Sequence, residues 1–137
     1  MIDARFGHVN LIARDWRALA DFYTTLFACE LVPPERDYSG DDLAAGTGVP
    51  GAALRGAHLR LPGHGPTGPT LEIYQFAAMP DGLPHAANRP GFQHIAFAVS
   101  SVAAAREAFA DLPLRTRSAL GPLRNGTYPG ASGIVVI

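Results

Sequence analysis

The stretch F-G-H-V-N-L-I-A at residues 6–13 recurs in outline as F-Q-H-I-A-F-A-V at residues 92–99. Each copy opens with Phe, any residue, His, then a β-branched residue and an apolar run. β-Branched and aromatic residues at this density predict a strand in both places. The offset that lays His8 on His94 also lays Phe6 on Phe92, Val9 on Ile95, Ala13 on Val99, Asp15 on Ser101 and Tyr23 on Phe109. A strand, a capped helix and further strands follow in each half. Internal similarity of this kind predicts two copies of one supersecondary unit.

Outward from the first copy, Asp15 is placed to cap a helix. Leu19, Phe22, Tyr23, Leu26 and Phe27 recur at helical spacing and predict an amphipathic helix over 16–27. Trp16, Phe22 and Phe27 read as core residues of that helix. E-L-V-P-P then begins a short strand that Pro33 and Pro34 should stop. Residues 35–50 read as a loop or lid containing Tyr38 and Leu43. Residues 52–61 alternate and predict a strand. The Pro- and Gly-rich stretch 62–69 is a turn. T-L-E-I-Y-Q-F at 70–76 predicts a strand with Glu72, Tyr74 and Phe76 on one face and Leu71, Ile73 and Gln75 on the other. The three prolines and two glycines of 79–91 mark a linker. Beyond it come the strand at 92–99, a Ser100 or Ser101 cap and an alanine-rich helix from 102 to about 110. Residues 112–123 make a poor strand candidate and 133–137 a good one.

The chain of 137 residues carries a formal net charge of −1 and is 47% hydrophobic and 17% charged. That length suits one compact domain or two small halves sharing a core. The charge balance offers no broad pull toward nucleic acid or an anionic membrane. No run of about 18 apolar residues is present to span a bilayer. The N-terminal M-I-D-A-R-F lacks the apolar segment of a secretory signal. With a single cysteine, Cys29, no intramolecular disulfide can form, and cytoplasmic residence is expected. Cys29 follows the helix pattern and reads as a small core residue.

The chemistry-bearing residues lie on the predicted strands. A lone strand histidine among apolar residues is usually a satisfied core group. Two at equivalent repeat positions, His8 and His94, can be brought near one pseudo-symmetry axis. A carboxylate on an apolar strand is costly unless it is paired or bound to metal. Glu72 is such a carboxylate, unless its face of the sheet is open to water. Two His and one Glu form a 2-His-1-carboxylate set, which suits a divalent transition metal with open positions. Tyr74 shares a face with Glu72 and is a pocket candidate, with Tyr38 from the loop. His58, on the third strand, faces either cavity or solvent. Arg55 and Arg60 flank it and either meet an anionic substrate or are solvated. His64 and His85 fall in Pro/Gly-rich segments and should be exposed.

The stretches F-G-H-V-N-L-I-A-R-D-W-R-A-L-A-D-F-Y, T-L-E-I-Y-Q-F and N-R-P-G-F-Q-H-I-A-F-A-V together resemble the vicinal oxygen chelate superfamily. That group includes glyoxalase I, methylmalonyl-CoA epimerase, extradiol dioxygenases and the fosfomycin- and bleomycin-resistance proteins. The resemblance runs over about residues 5–109. It implies an α+β fold, with paired βαβββ modules forming a curled mixed sheet around a central cavity. The chain would then be one domain, with module one at about 5–78, a linker at about 79–91 and module two at about 92–137. It also implies a metal held from strands one, four, five and eight. Three of those positions match His8, Glu72 and His94. A homodimer is implied as well.

The last strand departs from the family pattern. Its usual Glu follows a D-P-x-G-like turn, whereas this chain reads Y-P-G-A-S-G-I-V-V-I. The Glu position falls on Ile137 or Val135, and neither side chain binds metal. Three protein ligands plus waters or substrate can suffice. The site could instead have become a metal-free pocket, or the carboxylate of Ile137 could fill the place. Two classes of function follow. One is a metal-dependent glyoxalase-like lyase or isomerase, using Zn, Ni, Co, Mn or Fe. It would act on a small oxygenated carbonyl compound by Lewis-acid stabilisation of an enolate or oxyanion, with Glu72 serving as the catalytic base or as a metal ligand, two roles it cannot easily fill at once. The other is a metal-free, bleomycin-resistance-like protein that sequesters a small molecule. A ring-cleaving dioxygenase is a further alternative, although its carboxylate normally sits on the last strand. The segments 35–50 and 79–91 would frame the cavity mouth and set specificity.

Overall fold

The computed structural model describes residues 1–82, 90–92, 94–110, 120–122 and 133–136. The chain divides into two compact units, Met1–Gly82 and Leu83–Ile137.

The first unit is a four-stranded mixed sheet in the order β1-β4-β3-β2, open at both edges. The strands are β1 (His8–Ile12), β2 (Glu30–Ser39), β3 (Ala53–Arg60) and β4 (Thr70–Phe76). β1 runs parallel to β4, and the other pairings are antiparallel. The crossover from β1 carries α1 (Trp16–Phe27). Asp15 caps it, its Oδ1 accepting from the Ala18 backbone N–H at 3.0 Å. Ala28 ends it in the left-handed conformation, with the Cys29 N–H returning to the Tyr23 carbonyl.

α1 turns Trp16, Ala20 and Tyr23 onto one face of the sheet. Beneath lie Ala57, Leu59, Leu71 and Ile73, all 0% exposed. Alternation explains this layer, since these four residues occupy one parity of β3 and β4. Each large side chain taken out of water there contributes about 1.5–3 kcal/mol. Cys29 is buried at the end of the same layer. The opposite parity, Leu54, Gly56 and His58 on β3 and Glu72, Tyr74 and Phe76 on β4, forms the other face.

Residues 35–50 correct the sequence reading. β2 does not stop at Pro33 and Pro34 but continues to Ser39, and α2 (Asp41–Thr47) follows in place of a loop. The prolines, joined by a cis peptide, sit where the β2–β3 register shifts between Val32 and Arg36. A bulge on an edge strand demands no ladder N–H from either residue, so the strand survives them.

The second unit has β5 (Ala96–Val99), α3 (Val102–Phe109), β6 (Leu120–Pro122) and β7 (Gly133–Val136), with an antiparallel sheet in the order β5-β7-β6. Ser101 caps α3 by accepting from the Ala104 N–H at 3.2 Å. The strand expected over 92–99 is shorter than its pattern. Its ladder with β7 begins at Ala96↔Val136, so His94 precedes the strand. His85, Ile137 and most of 112–123 lie outside the described residues. Among the described residues no helix is long and apolar enough to cross a membrane.

Candidate functional site

β4 reads T-L-E-I-Y-Q-F. Its apolar parity faces α1, so its polar parity emerges on the far side of the sheet. Two ladders place the neighbours of Glu72. Asn10 of β1 and His58 of β3 are its register partners on either side. The Asn10 Nδ2–H donates to the Glu72 main-chain carbonyl at 3.4 Å.

The Glu72 carboxylate is 15% exposed and lies between two imidazoles. Oε2 is 3.5 Å from His8 Nε2, and Oε1 is 3.3 Å from His58 Nε2. His58 Nε2 is also 2.8 Å from the Tyr74 hydroxyl oxygen. The Tyr74 ring meets His58 edge-on at 6.0 Å and Tyr38 edge-on at 6.5 Å. Glu72, which has no cation beside it in sequence, thus gains its partners across strands. That answers the desolvation cost of a carboxylate in this position.

Electrostatics sets the protonation of this cluster. Burial holds the His58 imidazole below its ordinary pKa. The Glu72 charge opposes that shift, while Arg36 and His8 add to it. Burial, then the charge of Glu72, then Tyr38, pushes the Tyr74 phenol up to about 12, with Arg36 pulling the other way. Tyr74 therefore remains a hydroxyl throughout the neutral range. A carboxylate oxygen beside Nε2 favours the neutral His58 tautomer that carries its proton there.

The structure brings together His8, His58, Glu72 and Tyr74, with Tyr38 at the margin. It does not bring Arg55 to them. Arg55 pairs with Gln75 and has the opposite parity from His58. Its Nε donates to Asp37 Oδ2 at 3.0 Å, and it lines a separate cleft of about 440 Å³ with Trp16, Asp37, Leu54, Gln75 and Phe76. His94 belongs to the second unit and is exposed there. His64 is exposed in its turn. Two contributors escape a sequence reading. Arg36 falls in the stretch that reads as a loop. Gly56 has no side chain to signal a role, yet a Cβ built on it would lie 2.4 Å from Tyr74 Cδ1 and 2.0 Å from the Ile73 carbonyl oxygen. Its one legible signal is a glycine in the middle of a strand pattern, which marks a close approach.

Among the described residues, no group of three or more His, Cys, Asp and Glu side chains is disposed to hold a metal. The pair His8 and Glu72 does fit such an ion in donor type. Ligand atoms about 2.1 Å from one ion at a tetrahedral angle lie about 3.4 Å apart, a spacing met both by His8 Nε2 and Glu72 Oε2 at 3.5 Å and by His58 Nε2 and Glu72 Oε1 at 3.3 Å, although His58 Nε2 is already engaged by the Tyr74 hydroxyl.

No family model matches the chain, and no curated protein matches it. Among solved structures it is similar to a glyoxalase family protein from Bacillus cereus. The TM-score is 0.69 at 15% sequence identity, over 92% of this chain and 83% of that one. The fold is glyoxalase-like. At so low an identity the likeness speaks for the fold alone, and the glyoxalase-like fold hosts more than one chemistry.

Proposed function

We propose that this chain is a metal-dependent glyoxalase-like enzyme, a lyase or isomerase acting on a small oxygenated carbonyl compound. The observation that carries the reading is the Glu72 carboxylate held between His8 and His58 on the sheet face opposite α1. Such a cluster, in a fold of this type, supplies metal-binding and proton-handling groups side by side.

His8 Nε2 and Glu72 Oε2 would hold the ion; His94, which the sequence repeat offers as a further candidate, is tested alongside them. When bound, the ion supplies Lewis-acid stabilisation of negative charge developing on a substrate oxygen. His8, with its side chain 56% exposed, leaves the site open to a ligand from solvent. His58 holds a proton at Nε2 beside Glu72 Oε1. Tyr74 keeps its hydroxyl proton and can donate it to a substrate oxygen. A working homodimer is part of the proposal, supported by exposed Ile12 on the open edge strand β1 and exposed Phe6 just before it.

The test is bound metal per chain, by elemental analysis of protein purified without a histidine tag or chelator. His8→Ala, Glu72→Gln and His94→Ala run alongside. In parallel, a panel of 2-hydroxy and 2-oxo carbonyl compounds is incubated with the enzyme in D₂O, and deuterium entry next to the carbonyl is read by NMR. Near-stoichiometric metal that is lost in Glu72→Gln, together with metal-dependent exchange, is the expected result. No metal after soaking with Zn, Ni, Co, Mn or Fe would overturn it and leave ligand sequestration as the better reading.

A further inference from the structure

The sequence leaves Glu72 with two competing duties, ligand and base, and the structure separates its two oxygens. Oε2 faces His8 and Oε1 faces His58. His58 is in turn held by Tyr74 at 2.8 Å. Tyr74 reaches it diagonally across the β3–β4 ladder, because its own register partner is Gly56. A side chain at 56 would occupy the space taken by the tyrosine ring, since a Cβ there comes within 2.4 Å of Cδ1. The row Gly56, Tyr74, His58 and Glu72 is therefore one mechanical unit. The missing side chain seats the ring, the ring's hydroxyl seats the imidazole, and the imidazole faces one carboxylate oxygen.

We propose that His58, seated by Tyr74 over Gly56, is a positioning residue that engages Glu72 through Oε1 and leaves Oε2 as its single ligating oxygen. This rests on the metal reading above. A carboxylate free to rotate can offer both oxygens to an ion or turn away from it. One whose second oxygen is engaged presents a fixed lone pair beside His8. Groups that orient a metal ligand in this way are worth about 10- to 100-fold in metal affinity.

The experiment uses the full chain and Co²⁺ alone. Binding is followed by calorimetry and by the visible absorption of the bound ion, which reports its coordination. Wild type is compared with His58→Ala, His58→Gln, Tyr74→Phe and Glu72→Gln, with far-UV circular dichroism to verify folding. The expected result has three parts. His58→Ala binds cobalt about 10- to 100-fold more weakly with an altered spectrum. Tyr74→Phe moves in the same direction by less. His58→Gln, whose amide retains a donor, recovers part of the affinity and the wild-type band. A merely structural histidine would leave the spectrum of the bound ion unmoved. If His58→Ala matches wild type in affinity and spectrum while Glu72→Gln abolishes binding, the positioning role is overturned and the metal reading stands. If the wild type itself binds no cobalt, both fall.

Discussion

Gly56→Ala should be among the most damaging single-methyl additions available to this chain. Gly56 lies inside β3, between the ladders to β2 and β4. An added Cβ would meet the Ile73 carbonyl oxygen at 2.0 Å, the Ile73 carbonyl carbon at 2.9 Å and Tyr74 Cδ1 at 2.4 Å. Two of these atoms are backbone of the neighbouring strand and cannot swing aside as a side-chain tip would. Relief requires β3 and β4 to part locally, which weakens ladder hydrogen bonds and lifts Tyr74 off its seat. Overpacking a core position costs typically 1–3 kcal/mol and occasionally more. With backbone as the obstacle, the loss should be about 3 kcal/mol, against a total stability on the order of 5–15 kcal/mol. Gly46→Ala is the control. It lies in α2 with nothing within 4 Å of its Cβ position, and removing a helical glycine should stabilise by about 0.4–1 kcal/mol. Urea unfolding followed by the fluorescence of Trp16, the sole tryptophan, reports on the first unit directly. A Gly56→Ala protein within about 1 kcal/mol of wild type would refute the argument, since the close approach it rests on would then be absent in solution.

Other substitutions probe separate parts of the structure. Asp15→Ala removes the acceptor for the Ala18 N–H and should cost about 1 kcal/mol in the same urea assay, with Asp15→Ser recovering most of it. Leu59→Ala, at a fully buried position under α1, should cost about 2–5 kcal/mol. Cys29 is buried and its thiol is pushed up to about 11 by that burial, so a disulfide-exchange reagent at pH 8 should label native protein far more slowly than urea-unfolded protein. Equal rates would mean that the residue is not sequestered. For His58, the folded-state pKa lies below its unfolded value, chiefly because burial penalises the imidazolium. The unfolded chain then binds more protons below about pH 6.5, and stability falls as the pH drops from there through the folded pKa. The loss of stability between pH 7.5 and 5.5 should be smaller in His58→Gln than in wild type, and an identical loss would show that His58 does not carry it.

Much of the architecture is legible in the residue pattern. The alternation of T-L-E-I-Y-Q-F marks β4 and places Glu72 and Tyr74 together. The spacing of Leu19, Phe22, Tyr23, Leu26 and Phe27 marks α1. Asp15 and Ser101 mark the caps of α1 and α3. These are local signals: a strand's period, a helix's period and a side-chain oxygen within reach of an N–H three residues on. They need no knowledge of what lies elsewhere in the chain.

What pattern could not decide depended on pairing between distant strands. The double proline reads as a stop, yet a register shift on an edge strand makes both residues harmless to β2. Arg55 and His58 are near in sequence, but strand parity sends them to opposite faces of the sheet. His58 joins Glu72, and Arg55 joins Asp37 at another cleft. Gly56 signals only a close approach, and Arg36 reads as part of a loop, until β2 and β4 lie on either side of β3 and the Tyr74 ring needs room. The residue types of the candidate site were present in the sequence. Which of them meet is decided by the register of β3 on β4 and of β1 on β4, because a shift of one residue would turn every side chain to the other face.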